Sequence, residues 1–382
     1  MFLPAPAFAL GIRIADQNPQ ATARGNAFAA TADNPSAIYY NPAGITQLED
    51  QNISAGVYSI YLNSHYRPAS GPELDTIDKV QFVPELFYTF TPRNLPVSFG
   101  LGVYSPYGLA LAWPDSAPFR NVGQVGKLAY VTVNPVAAWK ICPQLSIAAG
   151  PTFNYGNLDL RQGIFVPGDR FHFSGDDIAA GFNAGILWQP REKHSFGVSY
   201  RSSTDLNFDG RADTHLLFPF SYDNSEAASA GLHFPQNVVV GYSFRPTPDW
   251  NLEVNVDWTD WDSLNTVTLK KGSGNTPLAF NWRSSFFYEF GATRHFKDGY
   301  SLSAGYIYSE NSVPNATFNP IVPDSDRHIF SVGIGRKQNH LNWDAAYQFA
   351  FGPSRDVNNG TTANGSYQFI SHALIFSIGY HF

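Results

Sequence analysis

The sequence predicts an all-β protein: a 14-stranded antiparallel transmembrane β-barrel with an N-terminal hatch, or plug, inside the lumen. Three observations point there. First, the chain ends on a run of period two: Leu374, Phe376, Ile378, Tyr380 and Phe382 alternate with Ile375, Ser377, Gly379 and His381. That is the signature of a strand with one large apolar face. Second, the connections between successive strand-like segments alternate between short and long. Third, charged residues make up 14% and aromatics 15% of the 382 residues, against roughly 25% charged in soluble domains. No stretch approaches the ~18 unbroken apolar residues of a membrane helix. A charge-poor, aromatic-rich chain without a helical span suits a barrel, whose strands alternate lipid-facing and lumen-facing residues. A large soluble β-sandwich is the competing reading of composition alone.

Met1-Phe-Leu-Pro-Ala-Pro-Ala-Phe-Ala9 ends on the small-x-small pattern Ala7-Phe8-Ala9 but has no basic start. Residues 1–9 are expected to be the residual end of a secretory signal. Residues 10–51 follow, rich in Ala, Gly and Asn and poor in strand formers. Small residues suit short helices and tight turns in a confined space, so this stretch is expected to fill the lumen as the hatch. A fourteen-strand barrel is wide enough to need filling or to carry water.

Residues 52–382 make the barrel. Strands are expected at 52–67, 79–92, 95–108, 127–141, 144–162, 176–190, 194–213, 231–246, 249–270, 281–297, 300–312, 326–337, 341–353 and 367–382. Even-numbered strands run into short turns: Pro92-Arg-Asn94, Cys142-Pro143, Pro190-Arg-Glu-Lys193, Thr247-Pro248, Lys297-Asp-Gly299 and Gln338-Asn-His340. Pro, Gly, Asn and Asp supply the backbone angles such turns need. Odd-numbered strands are followed by roughly ten to eighteen residues, which is the two-rim asymmetry of outer-membrane barrels. The even count puts both termini on the short-turn, periplasmic side. Trp139, Trp188, Trp250 and Trp343 lie near that rim, where an interfacial girdle of aromatics is expected.

Function classes narrow by exclusion. The net charge is −7, with no basic run for nucleic acid. The single Cys142 makes no internal disulfide. Asp324-Ser-Asp-Arg-His328 mixes acids, a Ser and a His, but there is no nucleophile elbow, HExxH helix or Walker A loop. No catalytic residue, metal site or cofactor is expected.

Several blocks resemble the FadL/TodX-type outer-membrane transporters of hydrophobic compounds. They are Gly11-Ile-Arg-Ile-Ala-Asp-Gln17, Ala32-Asp-Asn-Pro-Ser-Ala-Ile-Tyr-Tyr-Asn-Pro-Ala-Gly44, Ser105-Pro-Tyr-Gly108, Ser199-Tyr-Arg-Ser202 with residues 206–212, Trp258-Thr-Asp-Trp261, Val313-Pro314 and Val322-Pro-Asp-Ser-Asp-Arg327. The resemblance runs from about Gly11 to Phe382. It implies uptake of long-chain fatty acids, with aromatic hydrocarbons as the alternative cargo, by hatch movement and sideways release through a gap at a kinked third strand. The implied location is the outer membrane of a Gram-negative-type bacterium, and the implied partners are a hydrophobic small molecule and outer-membrane lipid. Carried over, the gap points to Asn41, Pro42 and Ala43 of the hatch and to Ser105 and Gly108. Independently, Pro106 cannot donate to a ladder and Gly108 has no side chain to pack, so pairing is weak there. The alternative is that Ser-Pro-Tyr-Gly merely ends the strand.

Arg161 and Arg283 align with basic positions of the family's deep pocket and are candidate partners for a ligand carboxylate. The competing role is an ion pair with a hatch acid such as Asp33. Leu109, Leu111, Trp113 and Phe119 are the candidate outer capture groove, unless they pack on one another. A general porin is the remaining functional alternative. A monomer is expected, as nothing suggests a trimer interface.

Overall fold

The computed structural model describes residues 11–217 and 220–382. The expected signal remnant at 1–9 and residue 10 lie outside the described residues. The barrel strands are β1 (Asp50–Arg67), β2 (Val80–Thr91), β3 (Val97–Tyr104, resuming as Gly108–Ala112), β4 (Val125–Cys142), β5 (Leu145–Gln162), β6 (Arg170–Arg191) and β7 (His194–Arg201, resuming as Thr204–Leu216). They continue as β8 (Tyr222–Phe234, resuming as Asn237–Phe244), β9 (Trp250–Thr259), β10 (Ser285–His295), β11 (Tyr300–Ser309), β12 (Arg327–Lys337), β13 (Leu341–Phe351) and β14 (Gly365–His381). Each pairs antiparallel with its neighbours, and β1 pairs with β14 from Asn52↔His381 to Arg67↔Ser366. The sheet therefore closes, and no edge is left open at the seam.

The alternation read from the last strand sorts its faces as expected. Leu374, Phe376, Ile378 and Tyr380 are exposed on the outside, whereas Ile375 and Ser377 are buried inside. Trp139, Trp188 and Trp250 are exposed near the short turns, and Trp343 is half-buried. The short turns fall where Pro, Gly and Asn put them. The expected loops after β5 and β7 are instead much shorter, at 163–169 and 217–221. There β6, β7 and β8 run on beyond the expected starts and ends, pairing from Asp209↔Asp176 to His215↔Arg170 and from Thr204↔Phe234 to Leu216↔Tyr222. Strand nine also differs: it stops at Thr259, and Thr266–Lys271 with Thr276–Ala279 form an outer hairpin.

Residues 11–49 precede the barrel. They hold α1 (Pro19–Ala23), capped by the Asn18 side chain with Pro19 in its first turn, then α2 (Ala37–Tyr40) and a 3₁₀ turn (Pro42–Gln47) capped by Asn41. Most of these residues are buried, and their bonds reach strands all round the ring. Gly25 N donates to Ser331 Oγ of β12 (3.1 Å) and Ala30 N to Glu253 Oε1 of β9 (2.8 Å). Ser195 Oγ of β7 donates to Ala30 O (2.6 Å), and Asn183 Nδ2 of β6 to Ile38 O (2.9 Å). Thr46 Oγ1 donates to Ser146 Oγ of β5 (2.7 Å), and Gln348 Nε2 of β13 to Asp16 Oδ1 (2.9 Å). Glycines in the wall permit this approach: a Cβ on Gly305 would come within 2.0 Å of Gly25 N, and one on Gly197 within 2.0 Å of Ala29 O.

Candidate functional site

The wall has one interval where β2 and β3 do not pair. Their last rung is Leu86↔Val103; beyond it, contact resumes only at the isolated bridge Ile77↔Ala112. Short of that bridge, Gly108–Leu111 has a strand partner on one side only, β4. Each side of the interval carries a proline, Pro84 and Pro106, which has no N–H to offer a neighbour. Backbone groups freed from a ladder need other partners. Here the leading segment supplies them. Gln17 Nε2 donates to Ser105 O (2.8 Å) and Gln17 Oε1 accepts from Ser105 N (3.2 Å), so one side-chain amide stands in for a missing rung. Ile14 N donates to Pro106 O (2.9 Å), and Gly108 N donates to Ile12 O (2.9 Å). Gly108 leaves room for the Ile14 side chain: a Cβ there would lie 2.7 Å from Ile14 Cδ1, and the tip of Ile14 would have to turn away.

Behind the interval lies a cavity of about 510 Å³. Phe82 and Pro84 line one side, Ser105, Gly108 and Leu111 the other, with Ile14 and Asp16 below. A second cavity of about 420 Å³ lies among the outer strand ends, walled by Leu158, Phe173, Leu269, Trp282 and Phe318. Ile12, Leu109, Leu128, Ile321 and Val322 line both cavities, so a thin apolar partition separates them. Both volumes fall in the roughly 300–1,000 Å³ range of small-molecule pockets, and both are apolar with few charged groups.

The charges at the outer cavity are Arg161 and Lys271. Asp159 holds Arg161 in a two-point pair (both 3.1 Å), and His172 Nε2 lies 3.0 Å from the same carboxylate. Lys271 has no carboxylate within 4 Å among the described residues; its ammonium lies 5.3 Å from the Phe171 ring centre. The 310–326 segment roofs the inner cavity. Asp324 accepts from Gly11 N (2.9 Å) and from Arg327 Nη2 (2.8 Å), tying the roof to the leading segment. Beside it burial pushes the Asp326 carboxyl up to about 6, although the Tyr308 hydroxyl bonds it (3.2 Å).

Residues 2–382 match the family described as outer membrane protein transport protein (OMPP1/FadL/TodX). The chain belongs to the FadL/TodX family. It is therefore an outer-membrane β-barrel transport protein, and the family's activity is transport of hydrophobic compounds rather than catalysis. The long-chain fatty acid transport protein of Salmonella typhi is 22% identical, over 92% of this chain and 88% of that one. The crystal structure of a Pseudomonas aeruginosa FadL homologue shares the fold with a TM-score of 0.86 at 20% identity, covering 97% of this chain and 99% of that one. The Pseudomonas putida toluene transporter TodX does so with a TM-score of 0.78 at 14% identity, covering 99% and 100%.

Against this FadL/TodX frame the expected site residues divide. Ser105 and Gly108 flank the unpaired interval. Asn41, Pro42 and Ala43 do not line it: Asn41 Nδ2 bonds Ala29 O (2.7 Å) and Ile186 O of β6 (3.0 Å), and residues 12–17 face the interval instead. The Asn-Pro-Ala turn is a cap for its own 3₁₀ turn, which fixes it against β6. Arg161 lines the outer cavity, paired with Asp159 and not with Asp33. Arg283 lies in the connection before β10, exposed, its N–H bonded to Ser312 O (2.9 Å); Trp282 takes the place in the cavity wall. Leu109 and Leu111 line cavities, but Trp113 and Phe119 are not an exposed groove. They are fully buried against Tyr66 and Tyr367, with Trp113 Nε1 donating to Pro320 O (2.8 Å). Gln17 and Lys271 were not singled out by the sequence.

Proposed function

We propose that this protein takes up hydrophobic compounds, foremost long-chain fatty acids, by passing them from the outer cavity to the inner one and out sideways between β2 and β3. Residues 10–51 act in this reading as the hatch that closes the bore, and residues 52–382 as the barrel around it. The observation that carries it is the unpaired interval with an apolar cavity directly behind it. An apolar tail gains about 0.8 kcal/mol per CH₂ kept from water, so a side exit into lipid is favoured over release into the periplasm. The partition of Ile12, Leu109 and Ile321 is the barrier between the two cavities, and Ile12 belongs to the hatch. Hatch movement would therefore join the cavities.

The fatty-acid reading is favoured by Lys271 and Arg161 at the mouth of the outer cavity, where a carboxylate head can be held while the tail lies among Leu158, Phe173 and Leu269. Fatty-acid transport is also the function given for its Salmonella typhi relative. The aromatic rings of Phe171, Phe280 and Trp282 in the same wall favour the second reading, uptake of an aromatic hydrocarbon such as the cargo of TodX. The test of the side exit is Gly108→Arg. Uptake should be abolished while the barrel still assembles; unchanged uptake would refute lateral release.

A further inference from the structure

We infer that a recess on the short-turn rim binds a multivalent oxyanion, a phosphate or a polycarboxylate, presented from the periplasm. The recess has a volume of about 540 Å³ and lies far from the two apolar cavities, between the turns that follow β4, β6 and β8. Arg191, Lys193 and Arg245 line it, together with His194 and one acid, Glu192. In a chain of net charge −7, three cations against one acid is a local reversal of sign. Among the described residues no carboxylate lies within 4 Å of Arg191 or Lys193. Converging cations in a concave surface raise the local concentration of anions.

Two of the cations are tied to the rim, Lys193 by its side chain and Arg245 by its backbone. Lys193 Nζ donates to Pro246 O (3.1 Å), which leaves two of its N–H groups for a ligand. Arg245 N donates to Lys193 O (2.9 Å), tying the turn after β6 to the end of β8. The anion that the chain itself brings near is Asp33, from the leading segment, and it stops 3.9 Å from Arg245 Nη2. That distance is too long for a good charge-assisted bond, which runs about 2.7–2.9 Å. A multivalent oxyanion bridging Arg191, Lys193 and Arg245 would take Asp33's place. The recess is joined to the leading segment at two further points, Ser195 Oγ to Ala30 O and Gln189 Nε2 to Gln47 Oε1 (3.0 Å). Occupation of the recess would thus be felt at residues 30–47. This site is independent of the transport path proposed above.

The test is calorimetric titration of the purified full-length protein in detergent with pyrophosphate, citrate and a short-chain phosphatidic acid, with chloride as the monovalent control. Saturable binding of at least one probe is expected, weakening with added salt and falling about tenfold or more in R191Q/K193Q. A charge-matched control, K140Q/K297Q, removes two rim cations outside the recess and should bind as the parent does. Tighter binding of the phosphatidic acid would name a lipid headgroup as the source, and tighter binding of pyrophosphate or citrate a free anion. No saturable binding, or equal loss in both double variants, would overturn the site. D33N should bind several-fold more tightly, and unchanged affinity there would overturn the displacement of Asp33.

Discussion

The two halves of the bore are built of different material. On the short-turn side, the inward faces of the strands carry Asn, Thr, Ser, Gln and Glu, and the leading segment is bonded into them. Thr132 Oγ1 meets Asn154 Oδ1 (2.8 Å), Asn255 Nδ2 meets Glu289 Oε2 (2.9 Å), and Arg24 and Arg13 pair with Glu253 (3.4 Å) and Asp257 (2.7 Å). On the long-loop side the same positions carry Leu128, Tyr130, Phe173, Leu206 and Phe208, and the space is left partly as cavities of about 510 and 420 Å³. The difference teaches where the bore is sealed by polar bonding and where it is left apolar, and it favours the proposed side exit over a straight path. Going straight on would strip buried polar groups of their partners, at roughly 1–3 kcal/mol each. The break between β2 and β3 lies where the two materials meet.

The sharpest way to break that contrast is at Glu253, which accepts from Ala30 N and Thr31 Oγ1 and pairs with Arg24. Glu253→Ala leaves Arg24 buried without its counter-ion, an effect of about 3–5 kcal/mol on the seating of the leading segment. Steady ion conductance should appear in planar bilayers where the parent is closed; a silent variant would mean that the polar half does not depend on this residue. Next comes Gln17→Ala, which strips both Ser105 backbone groups of their stand-in partner, roughly 1–3 kcal/mol. Hydrogen exchange at residues 105–108 should accelerate, with exchange in β5 unchanged. Lys271→Gln probes the apolar half. Fatty-acid affinity should fall about tenfold, in line with the ~1.5–3 kcal/mol of a hydrogen bond to a charged group, while toluene binding stays level. Equal losses for both ligands would argue that Lys271 serves the wall and not the carboxylate.

The smallest expected effect is that of pH. Asp326 ordinarily titrates near 4, and burial raises it to about 6 in the folded roof. Folded protein therefore holds that proton more tightly than unfolded chain. The stability this adds is fully present below about pH 4 and is lost as pH rises through about 6. Local opening of residues 310–326 should be slower at pH 5 than at pH 7.5, and Asp326→Asn should flatten the difference.

Much of the barrel, though not the contrast within its bore, was legible in the residues. Period two in residues 374–382 and the Pro- and Gly-rich turns report local geometry, so strand count and rims follow from them. The outer extensions of β6 to β8, residues 170–175, 214–216 and 222–230, were not legible, because Arg170, His172, His215, Asp223 and Glu226 interrupt any apolar alternation there; such residues are tolerated where strands stand clear of the apolar belt. Trp113 and Phe119 looked like an exposed patch since their partners, Tyr66 and Tyr367, are distant in sequence. Arg283 was misplaced by the break at 280–284, where the chain turns Trp282 inward. Lys271 had a signal that went unused: paired lysines ending the apolar alternation Val267-Leu269. Gln17 had none, because an amide replacing a ladder rung depends on a break hundreds of atoms away.

The seam between β1 and β14 sets the order of assembly. Asp50 begins β1 directly after the leading segment, and its partner is the fourteenth strand of the ring, more than 300 residues on. So the stretch 11–49 hangs from one lip of the final joint. Once that joint has zipped, bringing those residues in would mean threading them past a finished rim. Docking before or during the zipping avoids that passage, so the longest-range contact in the chain, the kind that forms slowly, is also the joint that would close around the contents.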